Sequence, residues 1–157
     1  MDDTRNETPL ERADRNFAEL LQELRVLQTG VQILFAFLLT LAFTPRFPSL
    51  DSVQRGIYVV TLLLAVCAAM LLIAPAAVHR VLFGRGVKRL IVEVSARLAG
   101  CGMSLLALAF TGSVLLIGDV VVGRAAGFAV AGGVLAGCVG LWAAMPWRLR
   151  RRSARRW

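Results

Sequence analysis

The sequence is poor in the residues that most chemistry needs: it has one histidine, one lysine, one tyrosine and three cysteines among 157 residues. Cys67, Cys101 and Cys138 stand far apart, with no C-x-x-C spacing and no histidine-rich partner segment, so neither a zinc site nor a disulfide framework is indicated. Each falls inside an apolar stretch, where a small polarizable packing side chain is the simplest role. G-x-S-x-G, H-E-x-x-H, a phosphate-cradling glycine loop after a strand and a haem-type cysteine and histidine arrangement are all missing. We therefore expect no catalytic residue, no metal ligand and no cofactor, and a chain that is not an enzyme.

What the sequence has in quantity is apolar length. Hydrophobic residues make up 57% of the chain and its mean hydropathy is +0.68, well above a soluble domain of this size. A helix that crosses a bilayer needs roughly 20 mainly apolar residues, because about 30 Å of hydrocarbon is crossed at about 1.5 Å per residue. Four stretches qualify, at about residues 26–44, 55–79, 97–118 and 124–146. Lipid offers no hydrogen-bond partners, so each stretch must satisfy its own amides as a helix. The expected fold is all-α: an integral membrane four-helix bundle in a single domain over residues 1–157. The first stretch follows a long, net acidic leader with no A-x-A site before a polar chain, and is expected to be retained rather than cleaved as a signal.

The formal net charge of +8 could suggest a nucleic-acid binder, but the placement of the charges points elsewhere. With the N-terminus inside, fifteen of the eighteen basic residues fall on the inner side, and only Arg46, Arg55 and Arg124 fall outside. Positive-inside bias then places both termini in the cytoplasm and the protein in the inner (plasma) membrane, with no nucleic acid as partner.

Residues 1–8 are polar and expected to fray. Thr8, Pro9 and Glu11 offer an N-cap, a proline at the first helical position and a capping-box acid. From there Leu10, Ala13, Phe17, Leu20, Leu21 and Leu24 recur at helical spacing, so residues 9–25 read as a cytoplasmic amphipathic helix, continuous with the first span or hinged to it near residues 24–30. Its apolar stripe needs either the membrane surface or a neighbouring helix end. Pro45 and Pro48 stop the first span, and the second begins just before Arg55, with Tyr58 at headgroup level. Pro75 permits a kink before His79 and Arg80. Gly84 and Gly86 mark a turn, and the third helix starts near Lys88. Residues 118–124 make a tight connection between the last two spans. Trp142 and Trp147 sit near the inner interface, and the basic tail of residues 147–157 can bind anionic headgroups at roughly 1 kcal/mol per residue.

Polar residues at membrane depth are the natural place to look for function, because burying them unpaired costs several kcal/mol, on the order of 2–7. Arg25, Gln28, Thr29 and Gln32 share one helix face and form a candidate polar seam, either lining an ion or substrate path or hydrogen-bonding between helices; the second is the simpler reading. Glu23, His79, Arg80, Glu93 and Arg97, together with Arg25, are brought to one depth by topology as a candidate cytoplasmic charged belt, read first as register-setting ion pairs. Ala129, Gly133 and Gly137 form a small-x-x-x-small ladder that lets helix backbones approach, with packing inside the chain as the first reading and a second copy as the other. No carboxylate falls at mid-membrane. Asp119 is expected in a solvated loop near the outer boundary, balanced by Arg124.

Three strings, ELLQELRVLQTGVQILFAFLL at residues 19–39, LLIAPAAVHRVLF at 71–83 and GDVVVGRAAG at 118–127, cover much of the chain between them. In them the chain resembles an uncharacterised family of small four-span membrane proteins from high-GC bacteria, a domain of unknown function. The resemblance implies the four-span fold and no established activity. Some members carry sodium/proton antiporter labels, but this sequence lacks the mid-membrane aspartates that such an antiporter would use.

The expected function is that of a non-enzymatic membrane protein acting through association, with itself as a homo-oligomer or with a membrane partner, by way of residues 10–24 or the glycine ladder. The alternative is a small oligomeric transporter or channel-like subunit of the cation/proton antiporter kind, built on Gln28, Gln32 and the belt of Glu23, His79 and Glu93.

Overall fold

The computed structural model describes residues 8–82 and 88–153. The fraying expected at residues 1–7, the turn expected at Gly84 and Gly86, and Arg155 and Arg156 of the tail fall outside the described residues. Among the described residues there is no strand. The helices are α1 (Pro9–Ala42), α2 (Ser52–Leu82), α3 (Lys88–Val121), α4 (Arg124–Val139) and α5 (Met145–Ser153). A short 3-10 turn, Phe47–Ser49, lies between α1 and α2, and a π turn, Gly140–Ala144, joins α4 to α5. Four segments, Arg15–Ala42, Ser52–Val81, Ile91–Val121 and Arg124–Arg148, are long and apolar enough to cross a membrane.

The helix ends follow local chemistry. At the start of α1 the Thr8 amide donates to Glu11 Oε2 at 2.7 Å, and the Glu11 amide donates back to Thr8 Oγ1 at 3.3 Å, the reciprocal pair of a capping box. A second box opens α2: the Asp51 amide donates to Gln54 Oε1 at 3.1 Å and the Gln54 amide to Asp51 Oδ1 at 2.8 Å. With Asp51 as cap, α2 begins at Ser52. Between α3 and α4, Gly123 has φ 109°, a conformation open in practice only to glycine, and its amide and that of Val122 both donate to the Gly118 carbonyl. In the π turn the Met145 amide donates to the Gly140 carbonyl, five residues back. Pro146 follows directly; it has no amide hydrogen, and its ring would crowd a carbonyl of a regular turn, so a widened turn accommodates it.

The residues group into two compact units. The first comprises Met1–Phe37 and Ala65–Leu106. Its interior holds Phe17, Leu24, Val31 and Leu34 of α1, Ala65, Ala68 and Leu72 of α2, and Ile91, Ala99 and Leu106 of α3. The amphipathic stretch of residues 9–25 is thus the first part of one continuous helix. Phe17 is buried, its ring stacked on His79 with centroids 4.8 Å apart. The second unit comprises Leu38–Leu64 and Ala107–Trp157. Leu38, Leu50, Tyr58, Thr61, Leu116 and Ala131 are buried in it. Here α3 and α4 approach through glycine: a Cβ on Gly118 would lie 2.8 Å from Gly127 Cα, and one on Gly127 would lie 2.7 Å from the Asp119 amide nitrogen.

Candidate functional site

Of the polar seam, one member reaches another helix. Gln28 Nε2 donates to the Leu72 carbonyl oxygen of α2 at 2.8 Å. Thr29 turns back on its own helix, its hydroxyl donating to the Arg25 carbonyl at 3.1 Å, and Arg25 and Gln32 are exposed. Four residues on one face therefore give a single interhelical hydrogen bond rather than a continuous polar lining.

Among the described residues the belt is likewise not joined by ion pairs. Glu23, Arg80, Glu93 and Arg97 are exposed, and no ion pair joins them or Arg25 to another described residue. His79 differs, because its ring lies on Phe17. In the same unit Ser95 is buried, and its hydroxyl has no hydrogen-bond partner among the described residues.

The ladder faces outward. Ala129, Gly133 and Gly137 are exposed, and a Cβ built on Gly132, Gly133, Gly137 or Gly140 meets nothing within 4 Å. The glycine pair that does pack inside the chain is Gly118 with Gly127. Only 6% of the apolar window of the fourth span is buried, against 22%, 28% and 28% for the first three. The face of small residues on α4 is thus exposed among the described residues of its unit.

At the opposite ends of the helices from the termini, Arg124 organises the charges. Its Nη2 donates to Asp51 Oδ2 at 2.6 Å, and its Nε lies 3.6 Å from Asp119 Oδ2. Asp119 is not in a solvated loop: it lies within α3 with its side chain buried, at the close α3–α4 approach that Gly118 and Gly127 permit. The carboxyl of Asp51 is held below the ordinary carboxylate range, first by the hydrogen bond with Gln54 and then by the charge of Arg124. Tyr58 is buried among its neighbours. Its hydroxyl donates to the Leu38 carbonyl at 3.0 Å, and its ring meets Phe47 edge-on at 4.9 Å. Arg55 Nη2 donates to the Pro48 carbonyl at 2.7 Å. Near this network lies a groove of about 550 Å³ lined by Leu41, Thr44, Arg46, Phe47, Leu50, Leu116, Ile117, Val120 and Val121.

Sequence reasoning missed the groove, the Asp51–Arg124 pair and the role of Tyr58. Asp51-x-x-Gln54 is a capping pattern that could have located the start of α2. The groove has no signal of its own, because its lining comes from two stretches about seventy residues apart. Cys67, Cys101 and Cys138 are free thiols, and no group of metal-ligating side chains occurs among the described residues.

Compared with known proteins, residues 6–146 match the Family of unknown function (DUF6328), and the chain belongs to that family. No curated protein and no solved structure matches it.

Proposed function

Membership of a family without a known function supplies no activity, and from the chain's own surfaces we propose a multi-pass membrane protein of the inner (plasma) membrane that works without catalysis by pairing with a second copy of itself through α4. Both termini lie on the cytoplasmic side in this reading, because fifteen of eighteen basic residues then face inward. The observation that carries it is the outward-facing ladder of Ala129, Gly133 and Gly137 on a span of which 6% is buried. In lipid, helices gain little by hiding apolar surface from one another, so association relies on close backbone approach, which small residues at a four-residue repeat allow. The other surface considered for association, the apolar stripe of residues 10–24, is partly spoken for, since Phe17 and Leu24 are buried within the chain. The tail rests on anionic headgroups, Arg151 capping the ring of Trp147 at 3.6 Å, and nucleic acid is no partner. A transporter or channel-like subunit lacks comparable support, since the Gln28 amide is engaged by Leu72 and Gln32 stands exposed.

The test is sedimentation or single-molecule photobleaching of the full chain in mild detergent and in liposomes, with Gly133→Leu and Gly137→Leu beside the parent. A Cβ at either position meets nothing within 4 Å, and unchanged helicity of the variants checks that the monomer fold is kept. The parent should dimerise and both variants should run as monomers of unchanged helicity. A monomeric parent, or variants that dimerise as well as the parent, would rule the proposal out.

A further inference from the structure

The groove near the ends of α1 and α3 is built unlike an ordinary face of a membrane helix. Its floor is apolar and enclosed: Leu50 and Leu116 are buried, and Leu41 and Val120 are half-buried. Its outer lip, Ile117 and Val121, is exposed. One wall is held in place before any ligand arrives. Phe47 heads the 3-10 turn, its amide donates to the Thr44 carbonyl at 3.1 Å, its carbonyl accepts from Leu50, and its ring is braced by Tyr58, itself tied to Leu38. A volume of about 550 Å³ falls within the roughly 300–1,000 Å³ of small-molecule sites, which are largely apolar with a few placed polar groups.

Charge completes the pattern. Around the groove the two carboxylates, Asp51 and Asp119, are both taken by Arg124, and the Arg55 guanidinium is taken by the Pro48 carbonyl. Arg46 lines the groove, and its guanidinium has no ion pair or side-chain hydrogen bond among the described residues. An apolar trough with an uncompensated planar cation among its lining groups is complementary to one class of molecule, an anionic head on a hydrocarbon chain. A guanidinium suits a phosphate in particular, because its fork of donors matches two phosphate oxygens.

We infer that this groove binds a single anionic glycerophospholipid, its phosphate on Arg46 and one acyl chain along Leu41, Phe47, Leu50, Leu116 and Val120. The inference rests on the chain being embedded in a membrane and is independent of pairing through α4. Bound there, the lipid covers apolar floor that the chain itself leaves open, and its headgroup supplies the carboxylate-like partner that Arg46 lacks. The site is specific for head charge rather than for lipid in general, since the trough alone would accept any acyl chain.

The experiment uses the full chain in liposomes doped with phosphatidylglycerol or phosphatidylcholine bearing the same photoactivatable diazirine acyl chain, with adducts mapped by peptide mass spectrometry. Mapping separates this site from the basic tail. On peptides carrying residues 41–50 and 116–121, phosphatidylglycerol should label in preference to phosphatidylcholine by roughly fivefold, the factor that one basic residue at a headgroup supplies. Arg46→Gln should abolish that preference and Arg55→Gln should leave it in place. Ile117→Trp, at an exposed position on the lip, should lower labelling of both peptides by both lipids. Equal labelling by the two lipids, a preference unchanged in Arg46→Gln, or one lost equally in Arg55→Gln overturns the proposal while leaving the membrane reading intact. Absence of labelling along all four spans overturns both.

Discussion

Gln28 on α1 donates its side-chain amide to the carbonyl of Leu72, three residues before Pro75 on α2. Proline lacks the amide that would bond the carbonyl four residues back, that of Leu71, and its ring crowds this turn, so an outside donor to Leu72, the next carbonyl along, adds a hydrogen bond where the ladder is weakened. Gln28 supplies one. The pairing explains why an expensive side chain sits in an apolar stretch without requiring that anything pass along it.

Replacing Gln28 with leucine should therefore destabilise the protein by about 0.6–2 kcal/mol, the range for hydrogen bonds between membrane helices. Gln32→Leu, at an exposed position of the same face, should be close to neutral. Reversible unfolding in mixed micelles reads both. If Gln32→Leu proves the costlier of the two, the seam does more than this hydrogen bond.

Glycines on α4 should divide into two classes. Gly127→Ala places a Cβ 2.7 Å from the Asp119 backbone and should destabilise the monomer by about 1–3 kcal/mol, the usual range for overpacking. Gly133→Ala meets nothing, and removing a mid-helix glycine should leave the monomer unharmed or stabilise it by up to about 1 kcal/mol. Thermal unfolding in a detergent that keeps the protein monomeric distinguishes them, and equal losses at both positions would contradict the packing described above.

Acid should weaken the start of α2. The native chain keeps Asp51 ionised at a pH where an unfolded chain would take up a proton, because its carboxylate accepts from Gln54 and faces Arg124. The stability so gained is whole above about pH 5 and is lost as the pH falls through the lowered native value. Glu11, held low by Thr8, adds a contribution of the same sign. Unfolding midpoints recorded between about pH 6 and pH 3 should fall less steeply for Asp51→Asn than for the parent, since asparagine caps without titrating. Parallel curves would show that Asp51 carries none of the effect.

Topology can be read with reporters. Fusions at the N-terminus, within residues 83–87 and after Trp157 should report one side of the membrane, and an insertion at Val122 the other. Moving net basic charge to the 43–51 connection, as in Thr44→Arg with Ser49→Arg, should raise the fraction of inverted molecules. A reporter at residues 83–87 that matches the one at Val122 would defeat the four-span arrangement.

The long elements were legible because their signals are redundant. Four apolar runs cannot be anything but helices in lipid, and Thr8-Pro9-x-Glu11 named the start of α1 to the residue. Contacts were not legible. Gln28 and Gln32 look alike in sequence, and only the position of Leu72 tells them apart. Gly127 and Gly133 differ only in what stands opposite, so spacing alone does not tell the exposed ladder from the pair, Gly118 and Gly127, that packs inside the chain. The closeness of Asp119 to the connection suggests solvent, but α3 runs on to Val121 and carries the side chain inside.

One wide turn late in the chain also decides which way the basic end faces. A regular helix rotates about 100° per residue, so a turn that takes in one residue more than usual sets everything beyond it back by about that angle. Trp147 and Arg151 therefore do not continue the azimuth of Gly133 and Gly137, although all four belong to a nearly unbroken helical run. Shortening Gly140–Ala144 by a single residue would swing the arginine-rich segment a quarter of the way around the axis while leaving the glycine face where it is. In this way the chain separates the bearing of its anchor from the bearing of the helix that carries it.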